Sequence, residues 1–159
     1  MKRKDFLTRV GLAGAGFSIV PRHVLGGKGF TAPSDTLYIG AIGAGGRGND
    51  NLRQLALHPN VKVSHFCDVD ERMVSRAKEA YPNAPFYKDY RKMLDSHESE
   101  IDAIVVSTPD HNHAVQTMAA IQRGMHVYVE KPLTHDIYEA RMLTEAARKH
   151  KVVTQMGNY

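Results

Sequence analysis

The sequence predicts an α/β protein built on a doubly wound parallel sheet. Three observations carry that prediction. A short apolar stretch, Thr36 to Ile42, runs straight into the glycine turn Gly43-Ala44-Gly45-Gly46-Arg47-Gly48. A second strand-like stretch, Val61 to Cys67, ends in an acid, Asp68, which lies 20 residues after Gly48. Strand-like and helix-like segments then keep alternating to the end of the chain, six times in all. That alternation implies a parallel sheet, with 3-2-1-4-5-6 as the natural strand order.

Thr36 to Ile42 is apolar and partly β-branched, as a buried strand requires. Leu52, Leu55 and Ala56 then give a helix face, stopped by Pro59-Asn60. Val61 to Cys67 is the second strand. A helix is expected over residues 71–81, with Met73, Ala77 and Ala80 on one side and Pro82 as the stop. Pro85 beside Phe86-Tyr87 allows only a short edge strand. Residues 90–94 read as a brief helix and 97–101 as a polar loop. Ala103 to Ser107 is a continuous apolar run, expected of a central parallel strand. Pro109 ends it, and a helix over 111–123 stacks Ala114, Met118 and Ile121, with Gly124 as its left-handed cap. Residues 127–129 are the fifth strand. Thr134 can cap a helix carrying Ile137, Ala140, Leu143 and Ala147, and 151–155 are the sixth strand.

The glycine turn follows the pattern G-x-G-x-x-G. Gly43 allows a tight turn off the strand, Gly45 leaves the backbone open to a pyrophosphate, and Gly48 lets the next helix pack closely. The following helix points its free N–H groups and positive dipole end at the phosphates, and Gly46 and Arg47 of the same turn are expected among the cofactor contacts. Asp68 can accept hydrogen bonds from adenosine ribose hydroxyls. Capping the next helix is the other use for an aspartate here, and Asp70 can do that equally well. Strand, turn, helix, strand and acid together point to a dinucleotide on a Rossmann-type sheet. Its ligand belongs at the carboxyl ends of the strands, at residues 43–48, Asp68, 108–113, 130–131 and 156–158.

At 159 residues with 42% hydrophobic content, the chain suits one globular domain. The formal net charge of +4 comes from residues 1–35, which hold six Lys or Arg against two Asp; residues 36–159 are balanced. A neutral globular part has no general electrostatic reason to hold a nucleic acid, so no such partner is expected. No apolar run reaches the ~18 residues of a membrane span. The single Cys67 excludes an internal disulfide and, inside a strand, reads as a buried structural thiol.

Residues 1–35 form a leader and linker ahead of the sheet domain at 36–159. Lys2-Arg3-Lys4-Asp5-Phe6-Leu7 is a basic start, Val10 to Val20 is weakly apolar, and Pro21, Gly26-Gly27, Gly29 and Pro33 punctuate a linker. The leader resembles a twin-arginine export signal with Arg3-Lys4 at the paired arginines, although no Ala-x-Ala site stands before Pro33. An exported, periplasmic protein is expected from it. A disordered basic tail on a cytoplasmic protein is the other reading.

Two strand ends carry chemistry. Asp110, His111 and His113 can be read as metal ligands, but residues two apart at a helix start point ~200° from each other. No further Cys or His cluster completes a shell, so no metal is expected. Asp110 can also cap its helix. In Glu130-Lys131-Pro132, a lysine beside a nicotinamide can bond a substrate hydroxyl and, if burial lowers its pKa, pass a proton. A solvated Lys beside a Glu is the alternative.

Residues 43–48, Cys67-Asp68-Val69-Asp70, Ser107-Thr108-Pro109-Asp110-His111-Asn112-His113 and Glu130-Lys131-Pro132 together resemble the Gfo/Idh/MocA oxidoreductases, among them glucose–fructose oxidoreductase and inositol dehydrogenases. The resemblance covers about residues 36–159. It implies a catalytic or substrate-orienting Lys131, and cofactor contacts from Thr108, Pro109, Asp110, His113, Glu130 and Asn158. Many members have asparagine where this chain has Asp110. Members continue into a second, mostly antiparallel domain that meets the substrate, so the chain is expected to be a cofactor domain without it. A homo-oligomer is expected of the full-length enzyme. NAD is expected over NADP, because Asp68 would repel a 2′-phosphate and Val69-Asp70 offers no cation, Arg47 or Arg72 being the residues able to compensate. The implied activity is hydride transfer between the nicotinamide and a hydroxyl-bearing carbon of a sugar or cyclitol. An NAD-dependent glycosidase and a non-catalytic nucleotide-binding fragment are the alternatives.

Overall fold

Six strand-like runs become six parallel strands in a computed structural model that describes residues 31–158. The chain divides into two compact units, residues 1–35 and 36–159. The export-like segment falls at residues 1–30, outside the described residues. In the second unit, β1 (Leu37–Ile42) sits between β2 (Val61–Cys67) and β4 (Ala103–Val106). β3 (Phe86–Tyr87) pairs with β2, β5 (His126–Val129) with β4, and β6 (Thr154–Met156) with β5. The order is β3-β2-β1-β4-β5-β6, as the alternation predicts. The β1–β2 register slips once, between Ile39↔Val63 and Gly40↔His65, leaving Ser64 as the extra residue of a bulge.

Alternate side chains along each strand feed two cores. On one face Ile39, Ala41, Phe66 and Val105 pack with Leu52 of α1 (Gly46–Leu55) and Ala77 of α2 (Ser75–Ala80). On the other, Ile42, Ile104, Val106, Val127 and Val129 pack with α3 (Tyr90–Ser96), α4 (His113–Gln122) and α5 (Ile137–His150). Cys67 lies in this second core, and burial, followed by the charges of Asp68 and Asp89, pushes its thiol up to about 12. No helix among the described residues is long and apolar enough to cross a membrane.

Four local expectations need correction. The segment 71–81 opens as a 3-10 turn, Glu71–Val74, before α2 begins, and the phase change buries Val74 and Ala77 while Met73 is 56% exposed and Ala80 is also exposed. Asp136, not Thr134, caps α5: its carboxylate accepts from Glu139 N at 2.8 Å, and Glu139 Oε2 accepts from His135 N, one residue before the cap, at 2.9 Å. Ile137 is 73% exposed, because the 14 residues of α5 span ~21 Å and overhang strands of four residues. The sixth strand starts at Thr154 rather than Lys151, since Lys151 takes a left-handed φ of 57° to close α5.

Candidate cofactor site

The carboxyl ends of β1, β2, β4 and β5 converge on the glycine turn. Gly43 leaves β1 with φ +83°, and a Cβ there would lie 2.6 Å from Ser107 O, so the turn is pressed against the end of β4. A Cβ on Gly48 would fall on the Gly43 carbonyl oxygen, so the first turn of α1 lies directly over the strand exit. At Gly45 a Cβ would come within 2.7 Å of Met73 Cβ, so that glycine also admits the start of the next helical segment. Around Gly46 the corresponding space is open to 4 Å. Its N–H is the first of α1, one of the donors no intrahelical carbonyl can meet. This cradle fits a pyrophosphate.

Asp68 closes β2 against the same turn. Its Oδ2 accepts from Ala44 N (3.1 Å) and Gly45 N (3.2 Å), and its Oδ1 from Asp70 N (3.0 Å). Asp70 is the helix cap, with Arg72 N and the Arg72 guanidinium on its carboxylate. Each of the two aspartates therefore has its own task. Beyond Asp68 opens a cleft of about 580 Å³ whose lining includes Gly43, Asp68, Val69, Thr108, Pro109 and Val115. Val69 is 86% exposed and Val115 54%, two apolar side chains in the lining of the cleft.

On the other side of the turn, a depression of about 280 Å³ is lined by Arg47, Ser107, Thr108, Asp110, His113, Glu130 and Lys131. Glu130 is buried in it, 7% exposed. Its Oε1 accepts from Asn51 Nδ2 (2.8 Å) and from Arg47 Nε (3.0 Å). Burial pushes this carboxyl up, but the Asn51 and Arg47 hydrogen bonds and the Arg47 charge outweigh it, so the net shift is downward. Asn51 Nδ2 also donates to Ser107 Oγ at 3.0 Å, tying α1 to the ends of β4 and β5. Tyr128 lies beside Glu130, and burial, then the Glu130 charge, raises its phenol.

His113 is 1% exposed, with Nδ1 2.6 Å from Pro132 O and Nε2 2.8 Å from Thr108 O. Both ring nitrogens thus face backbone carbonyls, and the ring pins the loop after β5 to the loop after β4. His111 is exposed and meets Asn112 instead, so the two histidines do not converge. Thr108 Oγ1 donates to Gln116 Oε1 at 2.6 Å. Asp110 begins the 3-10 turn Asp110–Asn112 before α4. Lys131 is exposed at the mouth of the depression, its peptide to Pro132 cis. Asn158 is exposed, next to Gly157, whose N–H donates to Val129 O.

Asn51, Ser107 and Gln116 support this site, and of these only Ser107 belongs to the sequence motifs. Asn51 sits at i+3 from Gly48 on α1, but its partners are 56 and 79 residues away. Only the fold brings them together.

Comparison with known proteins agrees with this geometry. The family model described as "Oxidoreductase family, NAD-binding Rossmann fold" (GFO_IDH_MocA) matches residues 37–158. A glycosyl hydrolase family 109 protein of Solibacter usitatus is 30% identical over 166 residues, covering 93% of this chain and 37% of its own length. The crystal structure of myo-inositol 2-dehydrogenase from Lactobacillus plantarum is similar with a TM-score of 0.69 at 29% identity, over 77% of this chain and 36% of that one. GenD2 from gentamicin A biosynthesis, solved in complex with NAD, is similar with a TM-score of 0.72 at 27% identity, over 88% of this chain and 37% of that one. The chain spans about a third of the length of the curated relatives it matches, 35% and 37% of the first two. It belongs to the Gfo/Idh/MocA oxidoreductase family, whose NAD-binding Rossmann domain it contains.

Proposed function

We propose that this chain holds the cofactor of an enzyme that moves a hydride between NAD and a hydroxyl-bearing carbon of a sugar or cyclitol. The observation that carries this reading is the convergence of Arg47, Thr108, Asp110, His113, Glu130 and Lys131 on one depression beside the glycine turn. Gly43, Gly45, Gly46 and Gly48 hold the pyrophosphate with the N-terminus of α1. Asp68 has lone pairs left for ribose hydroxyls beyond its three backbone bonds, and Val69 and Val115 offer apolar surface to the adenine. Thr108, Pro109, Asp110, His113, Glu130 and Asn158 surround the nicotinamide side. When bound, the nicotinamide supplies hydride acceptance and donation. Lys131 Nζ hydrogen-bonds the substrate hydroxyl and takes its proton as the carbonyl forms. Glu130, locked by Asn51 and Arg47, keeps the loop carrying Lys131 in register with the turn.

In a full-length protein carrying this domain, Lys131→Ala lowers turnover by about 10²–10⁴-fold and leaves NAD affinity unchanged. Unaltered turnover would remove Lys131 from the mechanism. The relative named as a glycosyl hydrolase family 109 protein favours one further reading: transient oxidation of a glycoside, elimination and re-reduction, with no net change in NAD. Net glycoside cleavage without NADH accumulation would identify it.

The cofactor is NAD rather than NADP. Asp68 faces the ribose position, and the cations around it are already matched: Arg72 by Asp70 (2.7 Å), Arg91 by Asp89 (2.9 Å) and Lys88 by Glu71 (3.6 Å). Arg47 is turned to Glu130. A 2′-phosphate would meet no surplus of positive charge. NADP binding as tight as NAD would overturn this preference.

Residues 1–35 act as a twin-arginine-type export signal, a reading that rests on Lys2 to Leu7 and the weakly apolar stretch behind them. Fused to a folded reporter, they carry it to the periplasm in a manner that depends on Arg3 and Lys4. A reporter left in the cytoplasm would contradict this.

A further inference from the structure

Away from the cofactor site, two histidines and a glutamate converge at the edge of the sheet. His65 belongs to β2, His97 follows α3, and Glu100 precedes β4. Their ligand-capable atoms all lie within 4.8 Å of one another. The imidazole rings pack with centroids 4.2 Å apart, and both present a nitrogen to the same carboxylate. His97 Nδ1 is 3.2 Å from Glu100 Oε1, yet this buried nitrogen makes no hydrogen bond. His65 Nε2 is 3.9 Å from Glu100 Oε2, too far for one. Two nitrogens and two carboxylate oxygens are thus gathered without satisfying each other.

The outer atoms are in order. Ser64, the bulged residue of β2, donates its hydroxyl to Ile39 O at 3.2 Å, so its oxygen accepts from His65 Nδ1 at 3.0 Å. That fixes the His65 tautomer with the hydrogen on Nδ1 and the lone pair of Nε2 toward Glu100. His97 Nε2 is 2.5 Å from the Tyr87 hydroxyl, which can accept its hydrogen and leave the Nδ1 lone pair facing Glu100. Both rings therefore have an oxygen on the nitrogen remote from the cluster, the arrangement that orients metal-ligating histidines.

We propose that His65, His97 and Glu100 form a site for a divalent transition metal, zinc by ligand type. Two imidazoles and one carboxylate are a donor set zinc accepts, with water completing a tetrahedron. Ligands ~2.0–2.1 Å from zinc stand about 3.3–3.4 Å apart in that geometry. The edge between His97 Nδ1 and Glu100 Oε1, 3.2 Å, already has this length, and one ligand atom from each of the three residues lies within 4.8 Å of the other two. An adjoining cavity of about 570 Å³, lined by Ser64, His65, Asn83, His97 and Glu100, gives the ion a route in. Asp102, on the same cavity, is committed to Tyr38 N at 2.8 Å and stays outside the ligand set. His65 lies three residues before Asp68, ~10 Å along β2, so the metal joins β2 to the α3–β4 connection without entering the cofactor cleft. Its role is to staple this edge of the sheet, where β3 has only two residues.

The test uses the full, tag-free chain, stripped with a chelator and dialysed against Zn²⁺. The expected result is one Zn²⁺ per chain and a raised unfolding temperature, with Co²⁺ giving the visible absorption of a four-coordinate site. Glu100→Gln and His97→Gln each weaken Zn²⁺ binding by at least about tenfold. Neither changes NAD affinity, which shows the fold intact and separates this site from the cofactor site. Absence of stoichiometric uptake, or uptake weakened less than that in either variant, overturns the proposal.

Discussion

Glu130 shows how one buried carboxylate organises a site assembled from three strand ends. Asn51→Ala removes the donor shared by Glu130 and Ser107, and stability falls by about 1–3 kcal/mol, read from urea unfolding. The same carboxylate sets a pH dependence. Its folded pKa lies below the unfolded one, so its contribution is complete above the ordinary glutamate range and is lost as pH falls through the lowered folded value. Glu130→Gln therefore flattens the acid side of the stability profile relative to the wild type; identical slopes would rule this contribution out. Cys67 makes the opposite point. With its thiol pushed up to about 12 and buried in the core, it stays unreactive toward a thiol reagent at pH 8 until the chain unfolds. Rapid labelling of the folded protein would contradict that.

Among the elements, those whose order could be read in advance were the ones written in hydrophobic pattern. The runs at 37–42 and 103–106 are apolar because both faces of the sheet are covered there, and the strand order follows from the alternation. Boundaries were less legible, because they depend on competing local bonds. Thr134 and Asp136 are both capable caps, and Asp136 prevails because its carboxylate reaches Glu139 N while the Thr134 hydroxyl donates to Asp136 O. Asp136→Ala accordingly costs ~1 kcal/mol by chemical denaturation, whereas Thr134→Ala costs less. Lys151 reads as strand until its left-handed φ closes the helix before it. The glycines, Asp68 and Lys131 were visible through motif and spacing. The Asn51–Ser107–Glu130 network and the His65–His97–Glu100 cluster were not, since Asn51 is 56 and 79 residues from its partners and His65 lies on a different element from His97 and Glu100, with no periodic signature to join them.

At the scale of the molecule, the described residues form an open cradle. Lys131 and Asn158 are exposed, and Lys131 belongs to the lining of the depression. Orientation of two reactants supplies a large part of an enzyme's rate. The 159-residue chain by itself therefore binds NAD but yields no NADH against a panel of polyols and cyclitols. Robust turnover would mean that these residues already hold a complete active site.

The central claim is that the turn between β1 and α1 holds the cofactor and that Lys131 serves chemistry rather than binding. Calorimetric titration of NAD into the chain, with Gly48→Ala and Lys131→Ala beside it, tests this most directly. A Cβ at residue 48 strikes the Gly43 carbonyl and displaces the N-terminus of α1, so Gly48→Ala weakens NAD binding by about tenfold or more, ~1.4 kcal/mol at least. Lys131→Ala leaves the affinity unchanged. Absence of saturable binding by the wild type, or equal affinity in wild type and Gly48→Ala, would contradict the account.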